Sequence, residues 1–300
     1  MNEIQGWINL YKPKGVTSFQ ALKKINKIFK FSKIGHAGTL DPLAEGVLPV
    51  ALGKTTKLIK FISDCKKKYL FTITWGSQTT TDDQEGEIIY ESKKIPSEDE
   101  LKNILPEYIG NIIQNPPKVS AVKINGERAY RLFRKNEKFN TKPKNVKVSK
   151  LLHLKSFDNK SLFEIEVGKG FYVRSFARDI AIKLNTYGHI SELKRTKVGN
   201  FDAKNSILLD DLLKIGHVHP EFKFIQNSIS MLDDILAYEI ERELDLIRLS
   251  NGRSITLDLS NMKFDQKFFD NKYIFLSKRG NVISFGKLVG NLFKPKKILI

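Results

Sequence analysis

The sequence predicts an α+β protein with a large sheet and flanking helices, followed by a small β unit at the end of the chain. Residues 66–75, 151–157 and 161–167 have the alternating apolar pattern of strands, and the last two runs are joined by an Asp-Asn-Lys turn. Residues 17–30 have apolar side chains at helical spacing with lysines opposite. Short β-like segments follow residue 230, so we divide the chain into 1–229 and 230–300.

The first elements follow from local signals. Residues 6–16 predict a short strand that ends in a Pro/Gly turn, and Thr17 and Ser18 open the helix. The simplest interpretation of the helix lysines is a solvated face, with contact to an anionic partner as the alternative. The lysines are Lys23, Lys24, Lys27 and Lys30.

Residues 34–53 form the stretch around which the chain is organised. Glycine and proline punctuate this apolar segment and restrict its backbone, and Asp41 is the carboxylate near its centre. A rigid loop that presents one carboxylate is a common way to display a reactive group. Asp41 followed by Pro42 is also a helix-start signal, although Gly46 would interrupt such a helix after about one turn.

The run G-H-A-G-T-L-D-P-L-A-E-G-V-L, residues 35–48, resembles the catalytic motif of the TruB-type tRNA pseudouridine synthases. This resemblance implies that the chain isomerises uridine 55 in the T-loop of tRNA and that Asp41 is the essential catalytic carboxylate. It also implies the pseudouridine synthase fold, a large mixed and mainly antiparallel sheet with flanking helices and a catalytic cleft. Residues 230–300 resemble, more weakly, the small PUA-like β-barrel of family members.

Two further catalytic residues are implied by the resemblance. K-x-Y at 67–69 matches the motif whose tyrosine stacks on the target uracil, although Tyr69 in a strand is also a typical core residue. The segment 168–181 resembles S-K-G-T-Y-I-R-S-L-A-R-D-L, which makes Arg174 the partner of Asp41. Gly168 and Phe171 depart from that pattern. A bidentate arginine would keep the carboxylate ionised and aimed.

Six residues are implied to bind the substrate. All except Lys12 have an alternative interpretation. His36 fits a buried structural histidine equally well, and Leu193 fits a core residue. The insertion at about 114–150, which the resemblance makes a mobile RNA-binding element, fits a solvated loop. The six residues are His36, Leu193, Lys12, Lys123, Tyr130 and Arg134.

Composition limits the partners. The net charge is +18, of which +15 lies in residues 1–229, and such an excess suits a polyanion. Cys65 is the single cysteine, and the sequence contains no P-loop or dinucleotide fingerprint, so we expect no metal and no cofactor. With no signal peptide and no apolar run of membrane length, we expect a cytoplasmic monomer that binds the T-arm of tRNA without an obligatory protein partner.

Two other functions remain open at this point. The chain is alternatively a tRNA-folding chaperone whose chemistry is secondary, or a pseudouridine synthase that acts on another RNA. The order of bond-making is also open, because a carboxylate can attack uracil C6 or ribose C1′, or abstract the C2′ proton.

Overall fold

The computed structural model describes residues 4–62, 64–218, 222–232, 237–260 and 272–300. The strands are β1 Gly6–Lys12, β2 Ile34–His36, β3 Glu45–Leu52, β4 Lys67–Trp75, β5 Ser77–Thr79, β6 Ile88–Glu91, β7 Gly110–Gln114, β8 Lys123–Ile124, β9 Glu127–Arg128, β10 Lys144–Phe157, β11 Lys160–Val167, β12 Gly188–Val198, β13 Phe201–Asp202, β14 Ile207–Leu208, β15 Ile225–Gln226, β16 Ala237–Glu239, β17 Ile255–Thr256, β18 Tyr273–Lys278, β19 Asn281–Val289 and β20 Leu292–Ile298. The helices are α1 Ser18–Phe29, α2 Ile59–Ile62, α3 Glu98–Ile104, α4 Ala129–Arg134, α5 Val173–Lys183, α6 Leu209–Val218 and α7 Glu243–Ser250.

The large sheet has the strand order β14-β1-β3-β12-β4-β11-β10-β7. Its pairs are antiparallel except β1 with β14 and β3 with β12, which makes it mixed and mainly antiparallel, as predicted. Strand β4 lies between β12 and β11, and its alternate side chains Tyr69, Phe71, Ile73 and Trp75 are all buried. The period-2 pattern seen in the sequence therefore reflects burial of one face.

Helices α1 and α5 cover the sheet. Thr17 caps α1 through a reciprocal capping box with Gln20, and the helix buries Ala21, Leu22 and Ile25. Helix α5 packs through Phe176, whose ring lies edge-on to Phe71 at 5.8 Å between centroids. The side chains of one large apolar cluster join these helices to the sheet.

The last part of the chain forms a separate five-stranded sheet of order β16-β18-β19-β20-β17. It packs on the large sheet through an apolar cluster that includes Trp7, Met231 and Phe275. Ser228 joins the two sheets, because its carbonyl accepts from Trp7 Nε1 at 2.9 Å and its Oγ accepts from the Val282 amide at 2.6 Å. The division of the chain between 229 and 230 stays a prediction.

Three local expectations differ from the structure. No helix begins at Asp41, because the chain enters β3 four residues later, so the helix-cap interpretation is wrong. The run T-T-K-L-I-K-F-I, residues 55–62, predicts one helix, but residues 53–58 form a 3-10 turn before the single turn of α2. Strand β10 begins at Lys144 because the lysine-rich run pairs with β7, which leaves 115–143 as the segment outside the large sheet. In the described ranges, no helix is long and apolar enough to cross a membrane.

Candidate active site

The loop of residues 37–44 carries Asp41 between β2 and β3 and is held by the start of α1. Ser18 Oγ accepts from the Leu40 amide at 2.9 Å and donates to the Leu40 carbonyl at 3.1 Å. One residue beyond Asp41, the Pro42 carbonyl accepts from the Gly15 amide at 2.8 Å. The backbone on both sides of Asp41 is thus fixed by hydrogen bonds.

Arg195 holds the same loop from the other side. Its side chain is 1% exposed and donates to three backbone carbonyls of the loop and β3. The contacts are Nε to Val47 O at 2.7 Å, Nη2 to Gly38 O at 2.9 Å and Nη1 to Thr39 O at 3.4 Å. We did not single out Arg195 from the sequence. Its position two residues after Leu193 could have indicated it, because residues two apart in a strand lie on the same face.

Gly46 allows the close approach on which this clamp depends. It has φ +107°, and a Cβ at this position would lie 2.2 Å from the Arg195 carbonyl oxygen. Any side chain here would separate β3 from β12 and displace Arg195 from the loop.

Arg174, in the first turn of α5, binds the carboxylate of Asp41. Its Nε lies 2.9 Å from Asp41 Oδ2, so the ion pair that the resemblance implied is present. It is not the bidentate pair that we expected, because the two Nη nitrogens bind other acceptors. The guanidinium is 5% exposed, whereas the Asp41 side chain is 34% exposed. A buried cation therefore holds a carboxylate that remains open to solvent on one side.

Both other nitrogens of the Arg174 guanidinium also have acceptors, which fixes the plane of the group. Nη1 donates to Thr81 O at 3.0 Å and lies 3.4 Å from Asp83 Oδ2, and Nη2 donates to Val119 O at 3.0 Å. Asp83 is buried, and its burial raises its pKa, against the lowering by Thr81 and Arg174. Arg174 thus connects Asp41 to the turn between β5 and β6 and to the start of the insertion, and Asp83 is a second site residue that we did not name as a candidate from the sequence.

Tyr69 and Leu193 lie on the sheet face that α5 covers. In the β4–β12 register Tyr69 is opposite Arg195 and Phe71 is opposite Leu193, so these four side chains share a face. Tyr69 is 8% and Leu193 7% exposed, and both belong to the large apolar cluster. The structure brings them to the same side of the sheet as Asp41 and Arg174, and their roles toward a substrate stay predictions.

Lys12, Lys67 and His36 form a group of bases around Arg195. Burial lowers the pKa of Lys12 and of Lys67 to about 8, with Arg195 adding to the effect, while Asp41 opposes it at Lys12. Lys12 is fully buried and donates to the carbonyls of Pro13 at 2.8 Å and Val16 at 2.6 Å. Burial and Arg195 also lower the pKa of His36, whose buried Nδ1 has no hydrogen-bond partner. Contact of Lys12 or His36 with a substrate stays a prediction.

The three candidates in the insertion lie on its own small elements. Lys123 is exposed on the β8–β9 hairpin, and Tyr130 and Arg134 follow on α4. The Arg134 guanidinium is 5.8 Å from the Tyr130 ring centroid. No hydrogen bond or ion pair joins these three residues to Asp41, so the structure does not bring them into direct contact with it.

Among the residues that the structure describes, no three His, Cys, Asp or Glu side chains converge as metal ligands would.

Comparison with known proteins identifies the family. Residues 26–173 match the model of the TruB family pseudouridylate synthase N-terminal domain, and residues 174–237 match that of the tRNA pseudouridylate synthase B C-terminal domain. The tRNA pseudouridine synthase B of Ehrlichia ruminantium is 37% identical over 302 residues, covering 98% of each chain. This chain belongs to the TruB family.

Two further similarities extend this result. The tRNA pseudouridine synthase B of Wolbachia pipientis is 48% identical over 213 residues, which cover 70% of this chain and 60% of that protein. Among solved structures, a Cbf5-Nop10-Gar1 complex contains a chain with TM-score 0.71 and 25% identity, over 98% of this chain and 85% of that one. The predicted fold of this TruB-family chain, a pseudouridine synthase sheet followed by a small PUA-like β domain, is confirmed.

Proposed function

We propose that this enzyme converts uridine to pseudouridine at position 55 in the T-loop of tRNA, with Asp41 as the catalytic carboxylate. The observation that carries the proposal is the ion pair between Asp41 and the buried guanidinium of Arg174 at 2.9 Å. The names of its relatives, tRNA pseudouridine synthase B, support tRNA as the substrate.

The reaction breaks the bond between uracil N1 and ribose C1′, turns the base and rejoins it through C5. Arg174 occupies Oδ2 of Asp41, and no hydrogen bond of the described residues engages Oδ1. Asp41 would therefore present one oxygen to the nucleotide, as nucleophile at C6 or C1′ or as base at C2′, and afterwards assist proton removal. Arg174 would hold that carboxylate ionised and oriented throughout.

The target base must leave its stack to reach Asp41, which costs a few kcal/mol. Tyr69 would stack on the flipped base and Leu193 would line its pocket. Lys123, Tyr130 and Arg134 of the insertion would grip the RNA, with Lys12 and His36 close to the target nucleotide. The exposure of Lys123 and Arg134 and the excess of basic residues in 1–229 support this assignment.

The reaction is redox-neutral and uses no phosphate energy, so we propose that it requires no metal and no cofactor. We also propose that the protein acts as a cytoplasmic monomer on the T-arm, without an obligatory protein partner.

One observation favours a second activity, assistance to tRNA folding. Lys33, Lys57 and Lys60 lie close enough to Lys297 that their charges add to burial in lowering its pKa. Such a cluster, drawn from the loop before β2, the 53–62 segment and β20, would hold RNA independently of the chemistry at Asp41.

The test is pseudouridine formation in an unmodified T-arm stem-loop by wild type and Asp41→Asn, without added metal or cofactor. We expect the substitution to lower kcat by about 10²–10⁴-fold or more, because the neutral amide neither attacks carbon nor accepts a proton, while RNA affinity is retained. We expect Arg174→Lys to reduce kcat less, because it keeps a charge beside Asp41 but loses the Nη donors to Thr81 and Val119 that hold the charged group in place. Lys183→Ala, an exposed change on the same helix, is the control.

Equal conversion by wild type and Asp41→Asn would reject the role of Asp41. Binding without conversion by wild type would instead favour the folding activity or another RNA.

A further inference from the structure

The outer face of α1 carries a basic groove directly beside the Asp41 loop. The groove has a volume of about 390 Å³ and is lined by Gly15, Val16, Gln20, Lys23, Lys24 and Lys27. The helix that forms its wall contains no acidic residue from Ser18 to Phe29. The groove adjoins the candidate active site, because Ser18 Oγ bonds to the amide and the carbonyl of Leu40 and the Gly15 amide donates to the Pro42 carbonyl.

Phe19 lies on the exposed side of α1 and belongs to no apolar cluster of the described residues. Its side chain is 73% exposed, although it occupies the first turn of a helix whose other face is in the core. Phe19, Lys23 and Lys27 are spaced by four residues and thus form one row. At 1.5 Å per residue the row extends about 12 Å away from the Asp41 loop.

The lysines of this face are not neutralised. Lys23, Lys24 and Lys27 are exposed, and none of them forms an ion pair with any residue that the structure describes. By contrast, other exposed lysines such as Lys102 and Lys183 pair with nearby glutamates. An exposed aromatic ring beside uncompensated cations fits single-stranded nucleic acid, in which a base stacks on the ring and the phosphates contact the lysines.

We infer that the α1 face binds the nucleotides that flank the target uridine, with Phe19 stacking on one flanking base and Lys23 and Lys27 contacting phosphates. This inference rests on the proposed function, because it takes the target nucleotide to lie at Asp41. It assigns a binding role to residues that the sequence alone favours as a solvated helix face. By binding these flanking nucleotides, the α1 face would help to hold the T-loop of the tRNA open around the flipped base.

The test measures affinity for the T-arm stem-loop in the Asp41→Asn background, so that binding is separated from turnover. We expect Phe19→Ala to weaken binding about fivefold or more, and Phe19→Trp to retain it, since tryptophan also stacks. We expect Lys23→Ala with Lys27→Ala to weaken binding and to reduce the slope of log affinity against log salt by about one to two units. The matched control, Lys102→Ala with Lys183→Ala, makes the same change in charge where both lysines are ion-paired, and should change neither quantity.

A second arm locates the stacked base. Abasic substitutions are introduced on either side of the target uridine, one at a time. One of them should weaken binding to the protein with Phe19 but cause no further loss with Phe19→Ala, which is the coupling expected of a direct contact.

Three outcomes would overturn the inference. In the first, the Phe19 and lysine variants keep the affinity and salt slope of the parent protein, and in the second, the control variant shows equal losses. In the third, the Phe19 and lysine variants lose binding to anionic lipid vesicles while they bind RNA normally. The proposed function is judged separately, by conversion with Asp41 intact. If wild type converts the T-loop uridine and the α1 variants bind normally, the function stands and the inference fails. If wild type binds without converting and the variants bind weakly, the α1 face binds RNA but the proposed function fails.

Discussion

The Asp41 loop, residues 37–44, and the insertion, residues 115–143, both contact Arg174 but are held in different ways. The loop is fixed by Ser18 on one side and by three hydrogen bonds from the buried Arg195 on the other. The insertion is held mainly at its N-terminal end, where Val119 O accepts from Arg174 and Asn115 O accepts from Ser175 and Arg178. Its outer hairpin is stabilised by its own contacts, such as the ion pair of Lys135 with Glu127 at 2.9 Å.

This difference separates two tasks. A group that reacts must be held in one geometry before the substrate arrives, because misplacement by about 1 Å costs rate. A segment that grips RNA gains from adapting to it, and exposed contacts adapt at little cost. The loop is therefore expected to affect kcat and the insertion to affect KM.

The largest effect should follow the loss of the clamp. Arg195→Met leaves three carbonyls without their donor in a buried site, and we expect the free energy of unfolding to fall by about 3–5 kcal/mol. Below its melting temperature, the variant should show a large fall in kcat and a smaller change in KM, because the loop no longer fixes Asp41. Chemical denaturation and steady-state kinetics measure the two effects, with Arg253→Met as an exposed control that makes the same change in charge.

Arg195→Lys sharpens this experiment. It retains the charge but cannot reach three carbonyls at once, so we expect partial recovery of stability with kcat still reduced. Wild-type kcat in a stably folded Arg195 variant would show that the loop needs no clamp.

A smaller effect is expected in the insertion. Tyr130→Ala with Arg134→Ala removes an aromatic ring and an exposed cation that lie 5.8 Å apart. We expect KM for the stem-loop to rise about five- to tenfold, with kcat at saturating RNA and the free energy of unfolding nearly unchanged. A fall in kcat at unchanged KM would contradict the proposed division of tasks.

The smallest effect is expected in the pH dependence of the free energy of unfolding, through the buried Lys12. Burial lowers the pKa of Lys12 from 10.5 to about 8, so between these values the unfolded chain binds a proton that the folded chain has released. The free energy of unfolding contributed by this residue should therefore rise with pH from about 8 to 10.5 and be lowest below 8. Urea denaturation at pH 8, 9 and 10 should show a shallower rise for Lys12→Met than for wild type.

Lys67, whose pKa is also lowered to about 8, provides an independent check through Lys67→Met. If neither substitution changes the pH dependence, these lysines do not titrate in this range.

Much of the fold could be predicted because it is encoded locally. The alternation in β4, the apolar stripe and Thr17 cap of α1, and the Asp158 turn between β10 and β11 need only a few neighbouring residues. The start of β10 alternates only briefly, at the buried Val146 and Val148, among lysines that favour a solvated loop. It is a strand because β7 pairs with it, and pairing with a distant segment leaves little trace in local composition.

The same distinction holds for the candidate site. The sequence by itself determined the unusual backbone around Asp41, through its glycines and prolines, and indicated Asp41 and Arg174 by their motifs. Only the tertiary structure decided that Arg195 clamps the loop, that Asp83 shares Arg174, and that Phe19 and its lysines flank the loop on α1. The Arg195 and Val47 groups that bond are 148 residues apart in the chain, and no local propensity specifies which distant carbonyl will meet a buried donor.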